Sequence, residues 1–154
     1  MDIRIQEDQP TRPECLALLQ VHHSHMQAHT SPEKIYALDA SGLAAPGMTF
    51  WSMWDAGRLI GFGALKELDA THGEIKSMHT IGELRGQGLA ARLLDHIVAV
   101  ARQRGYRRLS LETGSADGFR SARTLYARYG FTPCGPFSFY PEDPESFFMT
   151  LVLD

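Results

Sequence analysis

Apolar positions in this chain follow two periods, and their alternation sketches a fold. Leu89, Leu93, Ile97 and Ala101 recur every four residues, which predicts an amphipathic helix over 86–104 closed by Gly105. A second helix is predicted over 119–129, ended by Gly130. A third lies near the N-terminus, with Thr11 as N-cap, Pro13 in its first turn and Leu16, Leu19 and Met26 on one side. Ser31-Pro32-Glu33 reads as the start of another helix, a cap followed by proline at the first helical position. Segments 3–6, 49–54, 58–68, 74–81, 107–112, 131–134 and 147–153 read as strands, with 3–6 at an edge and 74–81 central. Asp55-Ala56-Gly57 is a hairpin signal, 69–73 the next turn, the Gly, Ala and Pro-rich 41–48 a loop, and 133–144 an ordered loop. No repeat, low-complexity tract or linker interrupts the 154 residues, so a single α/β domain is expected.

Where the strand 74–81 gives way to the long helix stands Arg85-Gly86-Gln87-Gly88-Leu89-Ala90. The first amides of a helix have no intrahelical partner, and the helix dipole puts partial positive charge there, so a strand, glycine turn and helix start make a socket for phosphate. Glycine lets an anion approach the backbone, and Arg85 adds a fixed charge with a fork of donors.

Charge follows the same division. The net charge of −3 is split into −5 over residues 1–84, +6 over 85–128 and −4 over 129–154, so the positive block begins at the glycine turn. A solvated pair of arginine-rich helices would look the same. Nucleic acid is not indicated, because the overall balance is not basic and no aromatic residues interleave with the arginines. No apolar run reaches the roughly 18 residues of a membrane span. The N-terminus lacks the pattern of a signal peptide, and two cysteines suggest no disulfide framework, so a cytoplasmic setting is expected.

A second run, Ala122-Arg123-Thr124-Leu125-Tyr126 with Gly130-Phe131 beyond it, sharpens the reading. Together the two runs resemble the GNAT superfamily of acyl-CoA-dependent N-acyltransferases. Arg85, Gly88 and Ala90 match its Gln/Arg-x-x-Gly-x-Gly/Ala turn, and Ala122, Leu125, Tyr126, Gly130 and Phe131 match its Ala-x-x-Leu-Tyr-x-x-x-Gly-Phe run. Runs 63–68, 73–78 and 134–137 look like a functionally undefined bacterial branch. The resemblance implies a central, strongly twisted mixed sheet of six or seven strands with helices on both faces, and acetyl-CoA as co-substrate. It also implies that backbone groups of Met78, His79, Thr80 and Ile81 pair with the pantetheine arm. The turn from Arg85 through Gly86, Gln87, Gly88 and Leu89 to Ala90, with Arg123, would serve the rest of the cofactor. Two departures stand out. Gly82 replaces a usual proline, and Phe119 replaces a frequent asparagine, so that asparagine's contact to the pantetheine arm has no counterpart here. A homodimer is the family's habit, not something any residue indicates.

Amide formation from a thioester needs a neutral amine, a stabilised oxyanion and a proton for the departing thiolate. An amine with pKa near lysine's, about 10.4, is mostly charged at neutrality and needs a base. Glu74 is the first choice, on the resemblance and on its central strand. Substrate binding, and an ion pair with Lys76 or Lys66, are the alternatives. The strand period puts Glu74, Lys76, Met78 and Thr80 on one face and His79 on the other. On the resemblance, Tyr126 is the general acid beside the sulfur; a packed core tyrosine is the alternative. A main-chain N–H near Met78 would stabilise the oxyanion. Lys66 and Lys76, set in apolar strands, suit either a substrate carboxylate or an edge with wet ammonium groups. Tyr36 and Tyr140 are candidates to close the acceptor side. His22, His25 and His29 share a helix face with His23 beside them, yet no cysteine or carboxylate set completes a metal site, so cleft or surface histidines are expected and no metal. Cys134 reads as a small core residue. The expected activity is acetyl transfer to a primary amine of a small molecule. A non-catalytic acyl-CoA-binding module, or an enzyme acting on protein N-termini or lysines, is the alternative.

Overall fold

Seven strands and four helices carry the chain in the computed structural model, which describes residues 1–35 and 38–153. The strands are β1 (Ile3–Glu7), β2 (Met48–Asp55), β3 (Arg58–Asp69), β4 (His72–Thr80), β5 (Arg108–Gly114), β6 (Thr132–Cys134) and β7 (Ser146–Val152). The helices are α1 (Pro13–His29), α2 (Ala40–Leu43), α3 (Leu89–Gln103) and α4 (Arg120–Tyr129). One sheet takes the order β1-β2-β3-β4-β5-β7-β6, antiparallel everywhere except between β4 and β5. The mixed sheet with helices on both faces is the α/β architecture expected from the sequence.

Two apolar layers cover the faces. Leu89, Leu93, Leu94, Ile97, Val98 and Ala101 of α3 pack with Leu65, Ile75, Leu109 and Leu111 on one side. On the other, Cys15, Leu18 and Leu19 of α1 join Leu43, Phe50, Phe62 and Ala64. The α3 stripe is the one read from the sequence. The α1 stripe is not: Leu16 is exposed, and the buried set Cys15, Leu18, Leu19 and His22 follows i, i+3, i+4, i+7 spacing one register away.

Local signals fared unequally. Ala56 and Gly57 both have positive φ, 47° and 88°, the two-residue turn that matches the twist of a hairpin. Arg12, not Thr11, occupies the N-cap of α1 and makes no side-chain cap bond. The helix predicted from Ser31 is a single 3-10 turn, Pro32–Lys34, because the chain returns to extended backbone at Ile35. A new helix then starts at Ala40, just before the predicted 41–48 loop, and takes its first residues; the Asp39 carboxylate accepts from the Gly42 amide and caps α2.

A bulge reorganises β4. Leu65 pairs with Ile75 and Ala64 with Ser77, which leaves Lys76 as an extra residue. The strict two-residue period therefore breaks there, and the expected grouping of Glu74 with Met78 and Thr80 is corrected. Glu74 (opposite Lys66), Ser77 (opposite Ala64) and His79 (opposite Phe62) share the α1 side, while Ile75 and Met78 turn toward the α3 layer.

Candidate active site

Parallel pairing between β4 and β5 stops early. His72 to Ile75 pair with Arg108 to Leu111, but β4 runs on to Thr80 and β5 to Gly114 without meeting. Backbone groups of β4 that face this opening have no neighbouring strand, which invites an extended ligand to pair there. The opening belongs to a cleft of about 860 Å³.

At one end of the cleft lies the glycine turn. Gly86 and Gly88 have φ of 82° and 77°, so both need glycine, and Gly88 is the left-handed N-cap of α3. A Cβ at either would meet nothing within 4 Å, so the backbone faces open space. Arg85, Gly86, Gly88, Leu89 and Ala90 line the cleft beside the first amides of α3. Gln87 is exposed and lies outside the lining, as does Ile81, whose amide donates to Ile60 O at 3.0 Å. Arg123 also lies outside: its guanidinium donates to Gly114 O (2.6 Å) and Ala116 O (3.0 Å) and sits over the Phe147 ring, clamping the β5–α4 connection.

Tyr126, on α4, lines the cleft and is buried. Its ring packs on Phe131 with centroids 5.5 Å apart. Burial alone raises its pKa, so the phenol stays protonated.

The α1 side carries a polar group that is only partly satisfied. The Lys76 and Glu74 side chains are 3% and 1% exposed, with Nζ 3.4 Å from Glu74 Oε2. The Tyr140 hydroxyl donates to the same carboxylate oxygen and accepts from Lys76 Nζ at 2.6 Å. Burial lowers the Lys76 pKa against the opposing pull of Glu74. Glu74 Oε1 and Ser77 Oγ are buried and have no hydrogen-bond partner among the described residues. Both residues line the cleft. Lys66 does not. It is half-buried, with its ammonium 5.8 Å from the Phe139 ring centroid. Tyr36 lies outside the described residues.

Sequence reasoning missed two contributors. Glu112, two residues beyond Glu74's partner Ser110, faces the α1 side and lines the cleft. Burial raises its pKa to about 7; Ser146 and Lys76 pull it down, and Glu74 and Asp143 push it up. Its alternation with Leu109 and Leu111 was the available signal. The histidines also divide in a way their spacing does not show. His22 and His79 bring their Nδ1 atoms within 3.2 Å, and burial, the largest cause for each, lowers them to about 3 and about 4. His25 and His29 pack on the Phe119 ring, while His23 bonds Leu38 O. Among the described residues, no three His, Cys, Asp or Glu side chains gather to hold a metal ion. Cys134 is half-buried on the edge strand β6, outside the cleft lining.

Known proteins agree with this architecture. The model of the Acetyltransferase (GNAT) family matches residues 16–131. A Bacillus subtilis protein named uncharacterized N-acetyltransferase YsnE is 47% identical over 98% of this chain and 100% of its own length. A solved Klebsiella pneumoniae structure described as an acyl-CoA N-acyltransferase superposes with a TM-score of 0.83 at 28% identity, covering 99% of this chain and 98% of that one. A GNAT family acetyltransferase from Elizabethkingia anophelis, solved with acetyl-CoA bound, shares the fold at 18% identity, with a TM-score of 0.69 and 99% of each chain covered. On this evidence the chain belongs to the acetyltransferase (GNAT) family and is an acyltransferase.

Proposed function

We propose that residues 1–154 act as one domain that transfers the acetyl group of acetyl-CoA to the primary amine of a small molecule, by direct attack in a ternary complex. The observation that carries this reading is the gap between β4 and β5, which runs into the amide-rich turn of α3 and has Tyr126 and Glu74 on its walls. The amides from Gly86 to Ala90, with Arg85, take the diphosphate, and the unpaired edge of β4 from Met78 to Thr80 takes the pantetheine arm. A preorganised N–H near Met78 stabilises the oxyanion.

Glu74 receives an N–H of the acceptor on its unpartnered Oε1. Glu74 takes one proton from the incoming ammonium and passes it on to solvent, and the neutral nitrogen forms a bond to the thioester carbonyl carbon while the C=O π electrons move onto the oxygen. The C–S bond then breaks, Tyr126 protonates the thiolate, and the second nitrogen proton restores the phenol. A phenol held protonated by burial suits an acid at that step. Ser31 donates to Glu145 and Lys34 pairs with Asp143, which ties the segment after α1 to the loop that carries Tyr140, and a tied loop beside the cleft leaves less room for a peptide than for a small acceptor.

The test is acetyl-CoA-dependent thiol release across a panel of primary amines, with the acetylated amine identified by mass. Tyr126→Phe should lower kcat by about 10²-fold or more while acetyl-CoA affinity holds. Unchanged turnover in that variant removes the acid assignment. Tight acetyl-CoA binding with no release for any amine would refute amine transfer and favour an acyl-CoA-binding module.

A further inference from the structure

The acceptor is narrowed by the hydrogen-bonding capacity left over on the α1 side of the cleft. Lys76 is already engaged by Glu74 and by the Tyr140 hydroxyl and ring, its Nζ 5.1 Å from that ring's centroid. Lys66 lies outside the lining, and the cleft's arginines stand on α4 (Arg120 and Arg128) and on the glycine turn, where the charge of Arg85 acts on His79 and His25. His22 and His79 are neutral. What remains is the acceptor capacity of the unpartnered Glu74 Oε1 and of the Glu112 carboxyl group, beside the unpartnered Ser77 hydroxyl, which can accept or donate. A buried carboxylate oxygen with no partner calls for a donor, and a primary ammonium carries three.

We propose that Glu112, Ser77 and Glu74 Oε1 form an ammonium subsite that selects primary amines bearing no carboxylate. This rests on the acetyl-transfer reading above and deepens it. A carboxylate next to the amine would stand against Glu74 and Glu112, where the one cation among the cleft-lining residues of β4, Lys76, is already paired, and like charges in a half-dry site repel strongly. His22, His79 and Tyr140 also line the cleft, and aromatic lining suits an apolar or aromatic body.

Glu112 also gives the subsite a signature apart from turnover. Lys76, Glu74, Asp143 and Ser146 face it from β4, from the loop before β7 and from β7, and Asp143 is itself paired with Lys34. Near neutrality its carboxyl is part-protonated, so an arriving ammonium favours the carboxylate and a proton leaves to the buffer.

The experiment compares phenethylamine with phenylalanine, and isoamylamine with leucine, as acceptors. The decarboxylated member of each pair should have at least tenfold higher kcat/KM. Calorimetry of phenethylamine binding to CoA-saturated protein at pH 7, in phosphate and in Tris, should give heats that differ by the proton released. Glu112→Gln should abolish that difference and lower kcat/KM about tenfold. Ser77→Ala should lower kcat/KM without changing proton release. Unchanged CoA affinity confirms that each variant is folded. Equal or better use of the carboxylated partners overturns the inference, as do heats and kinetics untouched by Glu112→Gln. If no amine is acetylated, the transfer reading fails while calorimetry still decides the subsite: absence of amine binding overturns it, and proton-linked binding supports it.

Discussion

Lys76→Met removes an ammonium whose side chain is 3% exposed and faces a Glu74 side chain that is 1% exposed. Removing one partner of a buried pair strands the other charge, which costs about 3–5 kcal/mol. The Tyr140 hydroxyl still donates to the stranded carboxylate, so the lower end, about 3 kcal/mol, is expected. For a chain of this size that is a fall in Tm on the order of 10 °C. Glu74→Gln in the same background removes the stranded charge, so the double variant should recover most of the loss. Urea unfolding followed by circular dichroism, with a constant m-value across all four proteins, reads the cycle. A loss under about 1 kcal/mol in Lys76→Met, or strict additivity in the double variant, would refute a buried, energetically coupled pair.

Three further outcomes follow from the geometry. Gly88→Ala forces a side chain into φ 77°, costing about 1–2 kcal/mol, and puts a methyl group where a diphosphate would press on the backbone; calorimetry should show at least tenfold weaker acetyl-CoA binding, and unchanged affinity would unseat the turn as the phosphate site. Gly114→Ala places a Cβ 2.1 Å from the Phe119 ring, so denaturation should show a loss of about 1–3 kcal/mol; no loss would mean the ring yields freely. Stability against pH should contain two opposed contributions. His22 and His79, held neutral well below the usual 6.5, take up protons on unfolding, so their stabilisation is lost as pH falls from about 6.5 toward 4. Glu112, raised from 4.5 to about 7, holds a proton that the unfolded chain releases, so stability falls as pH rises through that window. His22→Gln should flatten the first slope and Glu112→Gln the second, and parallel curves would contradict both assignments.

What was legible in the sequence was what is local. The turn Arg85–Ala90, the stripe of α3 and the Ala56-Gly57 hairpin are set by neighbours within a few residues and by φ values that glycine alone adopts easily. The bulge at Lys76 was not legible, because it exists only as a register between β3 and β4, and it moved Met78 and Thr80 off Glu74's face. Glu112 escaped notice because its burial depends on the chain near 143–146, distant in sequence. Arg123 misled for a related reason: a charge tally cannot tell an arginine that waits for phosphate from one already clamping carbonyls at Gly114 and Ala116.

The sheet is two antiparallel ribbons zipped together along four residue pairs, from His72↔Arg108 to Ile75↔Leu111. Any rotation about that short zip would widen or narrow the mouth of the wedge. Gly73 sits at the closed end, where an added Cβ would come within 2.9 Å of the Tyr106 ring. Crowding at that remote point would pry the ribbons apart and change the spacing at the far end, so a residue no substrate reaches would alter how a substrate fits.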